Sequence, residues 1–376
     1  MLYYNLYKNP DRKKRVFHGR GRKFSTEFNM KKKLTAILCV IFSLVMLSAC
    51  SQRVLVDVDA NWHTNTTLSY DDTFYEKTVY DISYEANDSA TNDLVYKDIT
   101  GVYTVTVEAV TNYLQPENEF TVQQAYKLTS VLEMSGSIET KKGEAICSFG
   151  KDGTAGDKIT TTVWFRAEDE RLEPIRTEVD LYSHSPNGNK GATLYSYTSV
   201  TAYNESCSKA KVTVVDRSEE LADLKTDTLS IGKVRAGTFN YKDLQDSYSC
   251  FDNAQIYFAG RGFTFKKNSS NTVTVLDDTA GKNDVKYSCS AVTERKDLDF
   301  TIDGASQKDK AINVCTVSIG LANAGTNTGT NKEVQYIQTG NEQNNTYRNL
   351  PVRIKEPLAY LMGDMIFTLR SASYNK

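Results

Sequence analysis

The chain has 376 residues, 40% of them hydrophobic and 11% aromatic, and a formal net charge of −2. That near-balance is uneven: eleven of the 45 Lys+Arg and two of the 47 Asp+Glu precede Cys50, leaving 34 basic against 45 acidic residues, a net of −11, from Cys50 onward. An acidic body of this size argues against nucleic acid or anionic headgroups as partners, and it is long enough to bury one large core or two ordinary ones.

Residues 1–29 carry Lys8, Arg12, Lys13, Lys14, Arg15, Arg20, Arg22 and Lys23 with no hydrophobic pattern. They read as a mis-assigned start or a disordered basic extension, because Met30 begins a complete export signal by itself. Residues 30–49 are that signal. Lys31, Lys32 and Lys33 precede a run from Leu34 to Leu47 interrupted only by Thr35 and Ser43, and small residues follow. Fourteen residues are short of the ~20 that span a bilayer as a helix, and the order of charged, apolar and small residues is that of a cleaved secretory signal. The ending Leu47-Ser48-Ala49-Cys50 resembles the lipobox of bacterial lipoproteins. The resemblance implies removal of the preceding peptide, lipid attachment at Cys50, and a protein held on the outer side of a bacterial membrane. Two acyl chains there anchor stably, where one holds only marginally.

Period-two alternation begins at once, with Val54, Val56 and Val58 against Leu55, Asp57 and Asp59. It recurs through Tyr103, Val105, Val107 and Ala109, through Ile159 to Phe165, and through Ile175, Thr177, Val179 and Leu181. Leu194–Tyr203, Lys211–Val215 and Thr272–Leu276 continue the series, and 120–138 reads as strand as well. Ser185-Pro186-Asn187-Gly188-Asn189 and residues 267–271 supply turns between strands. One polar and one apolar face is the pattern of antiparallel sheet packed on one side, and the helices that a parallel sheet requires are missing. A helix is expected over 241–259, with Asn240 and Asp243 near its cap, Leu244, Tyr248, Phe251 and Phe258 at helical spacing, and Gly260 closing it. A shorter one is expected over 219–224.

The expected fold is all-β and mainly antiparallel: a large curved sheet or open half-barrel, with one packed helix near 241–259. Leu172-Glu173-Pro174-Ile175-Arg176 is echoed by Leu350-Pro351-Val352-Arg353, which raises the possibility of two related halves. A first β region would cover 50–216 and a second 217–376, separate or continuous. The segment Phe251-Asp252-Asn253 followed by hairpins, together with Tyr347-Arg348-Asn349-Leu350-Pro351-Val352-Arg353, resembles a group of uncharacterised bacterial exported half-barrel proteins. The layout is also similar to that of lipoprotein carriers, which cover an open barrel with a helix.

Chemistry is sparse. Beyond Cys50 there are five cysteines, Cys147, Cys207, Cys250, Cys289 and Cys315, with no C-x-x-C pair, so neither a zinc knuckle nor a redox motif is present. Five cannot pair completely; Cys289 and Cys315 could lie on neighbouring strands, and otherwise these are small buried apolar residues. His184 precedes a polar turn and reads as a solvated strand end, and His63 likewise as solvent-facing. Asp57-x-Asp59-x-Asn61 opens like a calcium loop but has Trp62 where glycine is required. Asp71-Asp72, Asp277-Asp278 and the group Asp297, Asp299 and Asp303 are weak calcium candidates. Tyr195, Tyr197 and Tyr203 could line a groove, but their spacing makes them cross-strand packing partners first. No catalytic residue, cofactor site or metal site is assigned. The function expected is a non-enzymatic, membrane-anchored lipoprotein whose curved sheet binds an apolar ligand or docks an envelope partner. The alternatives are a surface interaction protein without a pocket, or a hydrolase using paired carboxylates.

Overall fold

A computed structural model describes residues 70–87, 93–151, 153–167, 172–188, 191–322, 331–338, 349–358 and 362–374. The signal, Cys50, the 54–58 alternation and His63 lie outside the described residues.

Alternating sequence becomes alternating burial throughout. The first half supplies β1 (Tyr75–Ala86), β2 (Leu94–Gln115), β3 (Phe120–Thr140), β4 (Ala145–Phe149), β5 (Asp157–Arg166), β6 (Pro174–Asn187), β7 (Gly191–Tyr203), β8 (Ala210–Asp216), β9 (Leu229–Ile231) and β10 (Gly237–Tyr241). The second supplies β11 (Cys250–Asp252), β12 (Ser270–Asp277), β13 (Gly281–Arg295), β14 (Thr301–Ile302), β15 (Ala305–Ser306), β16 (Ile312–Leu321), β17 (Lys332–Ile337), β18 (Pro351–Pro357) and β19 (Gly363–Tyr374). In β1 the residues Thr78, Tyr80 and Ile82 point inward while Lys77, Asp81 and Ser83 face water.

All of them join one open sheet. Its ladder runs β10-β8-β7-β6-β5-β3-β2-β1-β19-β18-β17-β16-β13-β12-β11, with β4, β9, β14 and β15 attached at its margins. Every pairing along that ladder is antiparallel except β11 with β12. The middle is where the two ends of the described chain meet: β1 lies between β2 and β19. Hairpin-connected strands therefore spread to either side, and a single apolar core runs beneath both regions.

The short helix α1 (Ile256–Ala259) lies between 3-10 turns at Asn253–Gln255 and Gly260–Gly262. This corrects the expected span of 241–259 at its start. Asp243 has a left-handed φ of 58°, and residues 242–249 cross irregularly from β10 to β11. Cys250–Asp252 are held extended by pairing with Thr274–Leu276, so the helical path opens only at Asp252. There the Asp252 side chain accepts from the Ala254 amide at 2.8 Å, and Gln255 reaches back to the Asp252 amide as a capping box does. The apolar residues at helical spacing were responding to burial, not to helix period. At 218–224 the short helical turn is present, as a 3-10 helix.

The ten-residue helical segment fills the hollow of the sheet. Ile256, Tyr257, Phe258, Ala259 and Arg261 are all buried. Several of its carbonyls accept side-chain donors from the surrounding strands, as those at the ends of so short a helix must. Tyr287 Oη on β13 donates to the Ile256 carbonyl at 2.7 Å, and Tyr336 Oη on β17 donates to that of Tyr257 at 2.8 Å. Asn349 Nδ2 donates to the carbonyls of Arg261 and Phe263 at 2.8 and 2.9 Å. Arg261 Nη1 meets Glu76 Oε1 on β1 at 2.6 Å, with neither side chain open to water. Strands far apart along the ladder thus reach the same segment, which requires the sheet to curl round it. Gly260 permits the approach: a Cβ there would sit 2.3 Å from Tyr336 Oη.

Candidate functional site

The two ends of the sheet face each other across a seam that no backbone ladder closes. Side chains close it. Tyr203 Oη on β7 donates to Asp252 Oδ2 at 2.7 Å, and Ser199 Oγ, also on β7, donates to Asp278 Oδ2 at 2.5 Å. Gln245 Nε2 donates to Glu173 Oε1 at 2.7 Å, Gln255 Nε2 to the Leu172 carbonyl at 2.8 Å, and Lys282 Nζ to the Asp243 carbonyl at 2.5 Å. Three neighbouring carboxylates result. Burial pushes Asp252 up to about 6, against the bonds from Tyr203 and the Ala254 amide. Burial, then the adjoining Asp277 charge, pushes Asp278 up to about 7. Asp277 itself accepts from the amides and hydroxyl of Thr279 and Ala280, and from Asn253 Nδ2 at 2.6 Å.

Beside the seam lies a cleft with about 30 Å³ of free volume, whose apolar walls include Ile256, Val285 and Ile319 and whose polar rim includes Asp277 and Lys332. Lys332 is buried, bonded to Glu356 and 3.3 Å from Tyr257 Oη. Burial drives the lysine down to about 8 and the glutamate up to about 7. Glu356 Oε2 is buried without a hydrogen-bond partner. An amine poised near neutrality is the raw material of a nucleophile. Here it is clamped by its neighbours, and the free volume suits about two waters.

His184 is not a solvated strand end. It is buried, with Nδ1 2.7 Å from Asp157 Oδ1, its amide donating to both Asp157 oxygens at 3.0 Å, and its ring stacked on Phe149 at 5.2 Å. The strand end is covered on both faces, which alternation cannot reveal. Ser183 Oγ bonds Asp157 Oδ2 at 2.8 Å. Serine and histidine both hold the carboxylate, whereas a nucleophile would have to bond the histidine. This arrangement ties β5 to β6. Burial raises the Asp157 carboxyl, and the His184 hydrogen bond works against that.

On the outward face, the end of the β2–β3 hairpin carries a separate small cluster in which Val110, Tyr113, Phe120 and Trp164 cover Val122, Ala125 and Ile175. Tyr113 stacks on Trp164 at 5.3 Å, Arg176 lies over Trp164 at 5.5 Å and Arg166 over Phe120 at 5.6 Å. Leu114 is 59% exposed. A polar hollow of about 410 Å³, lined by Tyr70, Thr111, Asn112 and Gln124 among others, opens beside it.

The tyrosines singled out in the sequence sit at the seam. Tyr197 and Tyr203 are buried and serve carboxylates of the opposite sheet end, while Tyr195 is half-buried. Asp297 is held below the usual carboxylate range, at about 2, by Arg295. Among the described residues no group of three His, Cys, Asp or Glu side chains could hold a metal, and no helix is long and apolar enough to cross a membrane. The five described cysteines are free thiols, four of them buried.

No family model and no curated protein matches this chain. A crystal structure of a β-barrel-like protein of a domain of unknown function, DUF1849, from Brucella abortus is similar at 9% identity and a TM-score of 0.41, over 80% of this chain and 97% of that one.

Proposed function

We propose that the chain is a lipid-anchored protein on the outer side of a bacterial membrane, held through Cys50, that works by docking an envelope partner and not by turning over a substrate. The observation that carries this reading is the occupied hollow: the sheet's concave side is filled by the chain's own 253–262 segment. A carrier needs that volume for its cargo. The outward hairpin end, by contrast, combines Trp, Tyr and Arg, the residue types that dominate binding energy at protein interfaces, and leaves Leu114 uncovered. The acidic body disfavours nucleic acid.

A second reading, a carboxylate-dependent hydrolase, draws support from Asp252, Asp277 and Asp278 lying together with raised values at two of them. Each of the three is engaged by donors from across the seam or from its own turn, which favours a structural role. The anchor is tested by fractionation and intact mass. Wild-type chain should partition with membranes, with a mass beginning at residue 50 and increased by lipid, and Cys50→Ala should abolish the increase. An unchanged partition and mass in that variant would overturn the anchor. Native mass spectrometry of the extracted body should show protein without bound lipid; a stoichiometric apolar ligand would restore the carrier reading.

A further inference from the structure

Cys207 and Cys250 stand on opposite sides of the seam. Cys207 occupies the turn that ends β7, with a left-handed φ of 50°, and Cys250 opens β11 at the other end of the sheet. Both are buried, at 1% and 0% exposure, and their thiols interact directly with each other. The surrounding chain fixes that approach. Tyr203 bonds Asp252 at 2.7 Å on one side, and the Leu244 amide donates to the Ser208 carbonyl at 3.0 Å on the other. Burial, and then Cys250, push the Cys207 thiol well above its ordinary value, so that sulfur is not poised as a nucleophile or metal ligand in the folded state. Two buried, interacting thiols on either side of the seam, where among the described residues no ladder joins the sheet ends, have a different use.

We propose that Cys207 and Cys250 form a disulfide that joins the two ends of the sheet. The oxidant is an external disulfide. One thiolate attacks it and releases one equivalent of thiol; the second thiolate then attacks the mixed disulfide and releases the other. Two protein S–H bonds are exchanged for one S–S bond, and the external disulfide takes up the two electrons and two protons. Because both sulfurs are buried, the exchange belongs to folding or local opening. Cys147, on the short β4, interacts with Asp157 and the Ile138 backbone and with no thiol among the described residues. Cys289 and Cys315, on the paired strands β13 and β16, also have interacting thiols, but they sit diagonally across a register shift at Ser290. Regular diagonal positions are about 7–8 Å apart, the long limit for a bridge. The proposal concerns the seam pair.

Export reading and disulfide are separable: the bond in the cell requires an oxidising compartment, while its formation in vitro does not. The full chain, reduced and unfolded, is refolded in a buffer of reduced and oxidised glutathione, alkylated and digested. The expected result is a linked pair of peptides containing Cys207 and Cys250, which a strong reductant separates. Alkylation of both residues at glutathione ratios typical of secretory compartments would overturn the proposal, as would linkage of either to another cysteine. A second readout needs no mapping. Reductant should lower the unfolding midpoint of the oxidised wild type and leave that of a Cys207→Ala/Cys250→Ala variant unmoved. Equal sensitivity in both would contradict the bond.

Discussion

The centre of the sheet and its seam are built from different interactions. At the centre, β1 is laddered on both sides, to β2 and to β19, and its inward residues Tyr80 and Ile82 lie in the apolar core. Backbone hydrogen bonds and apolar burial do not titrate. At the seam the two sheet ends meet through Tyr203, Ser199 and Gln245 side chains, carboxylates with raised proton affinity, and a pair of thiols. The lesson is that one fold can be held at its centre mainly by ladder and apolar burial and closed at its seam by titratable side chains, and that perturbations should sort accordingly.

The largest effect should come from the link between the helical segment and the centre. Arg261→Met leaves Glu76 charged and buried without its partner, and should cost about 3–5 kcal/mol in urea unfolding. Adding Glu76→Leu should recover much of it, since an apolar pair can replace a buried ion pair. Next comes Gly260→Ala, whose Cβ would meet Tyr336 Oη at 2.3 Å. Overpacking of this kind costs about 1–3 kcal/mol, and Tyr336→Phe in the same chain should relieve part of it.

At the seam, Tyr203→Phe withdraws a donor from buried Asp252 and should cost about 1–3 kcal/mol where that carboxyl is ionised. The loss should shrink below pH 6, where Asp252 with its value of about 6 is protonated. The wild type has its own pH signature. Asp252 and Asp278 hold protons more tightly folded, at about 6 and about 7, than a carboxyl does at its ordinary value of 3.8. The folded state therefore binds more protons between pH 4 and 7, and stability falls as pH rises through that window. Thermal midpoints measured across it should decline, and Asp278→Asn should flatten the decline. The smallest effect is expected at Val215, 53% exposed on β8, where Val215→Thr should change stability by less than about 0.5 kcal/mol.

Much of the fold was legible because one buried face imposes a period of two. Ile159 to Phe165, Ile175 to Leu181 and Leu194 to Tyr203 alternate as strands that share a core. The helix start was not legible, because Leu244 and Phe251 are buried by long-range packing that imitates helical spacing. His184 was misread because Phe149, from the distant β4, covers a strand end that local polarity marks as exposed. The seam was out of reach altogether. That Tyr203 meets Asp252, or that Cys207 meets Cys250, depends on how far the whole sheet curls, and no local pattern encodes that. Nothing in the local sequence marks Lys332; its burial follows from β17 lying against Tyr257.

The working surface proposed for this protein is the outer hairpin end and not the filled hollow, and one measurement separates them. A photo-crosslinking side chain is placed in intact cells at Leu114, exposed at the hairpin end beside the outer cluster, or at Ala280, on the rim of the cleft. The account predicts a discrete protein adduct from position 114, lost when Trp164→Ala is added, and none from position 280. A lipid or protein adduct from position 280, with nothing from 114, would contradict it.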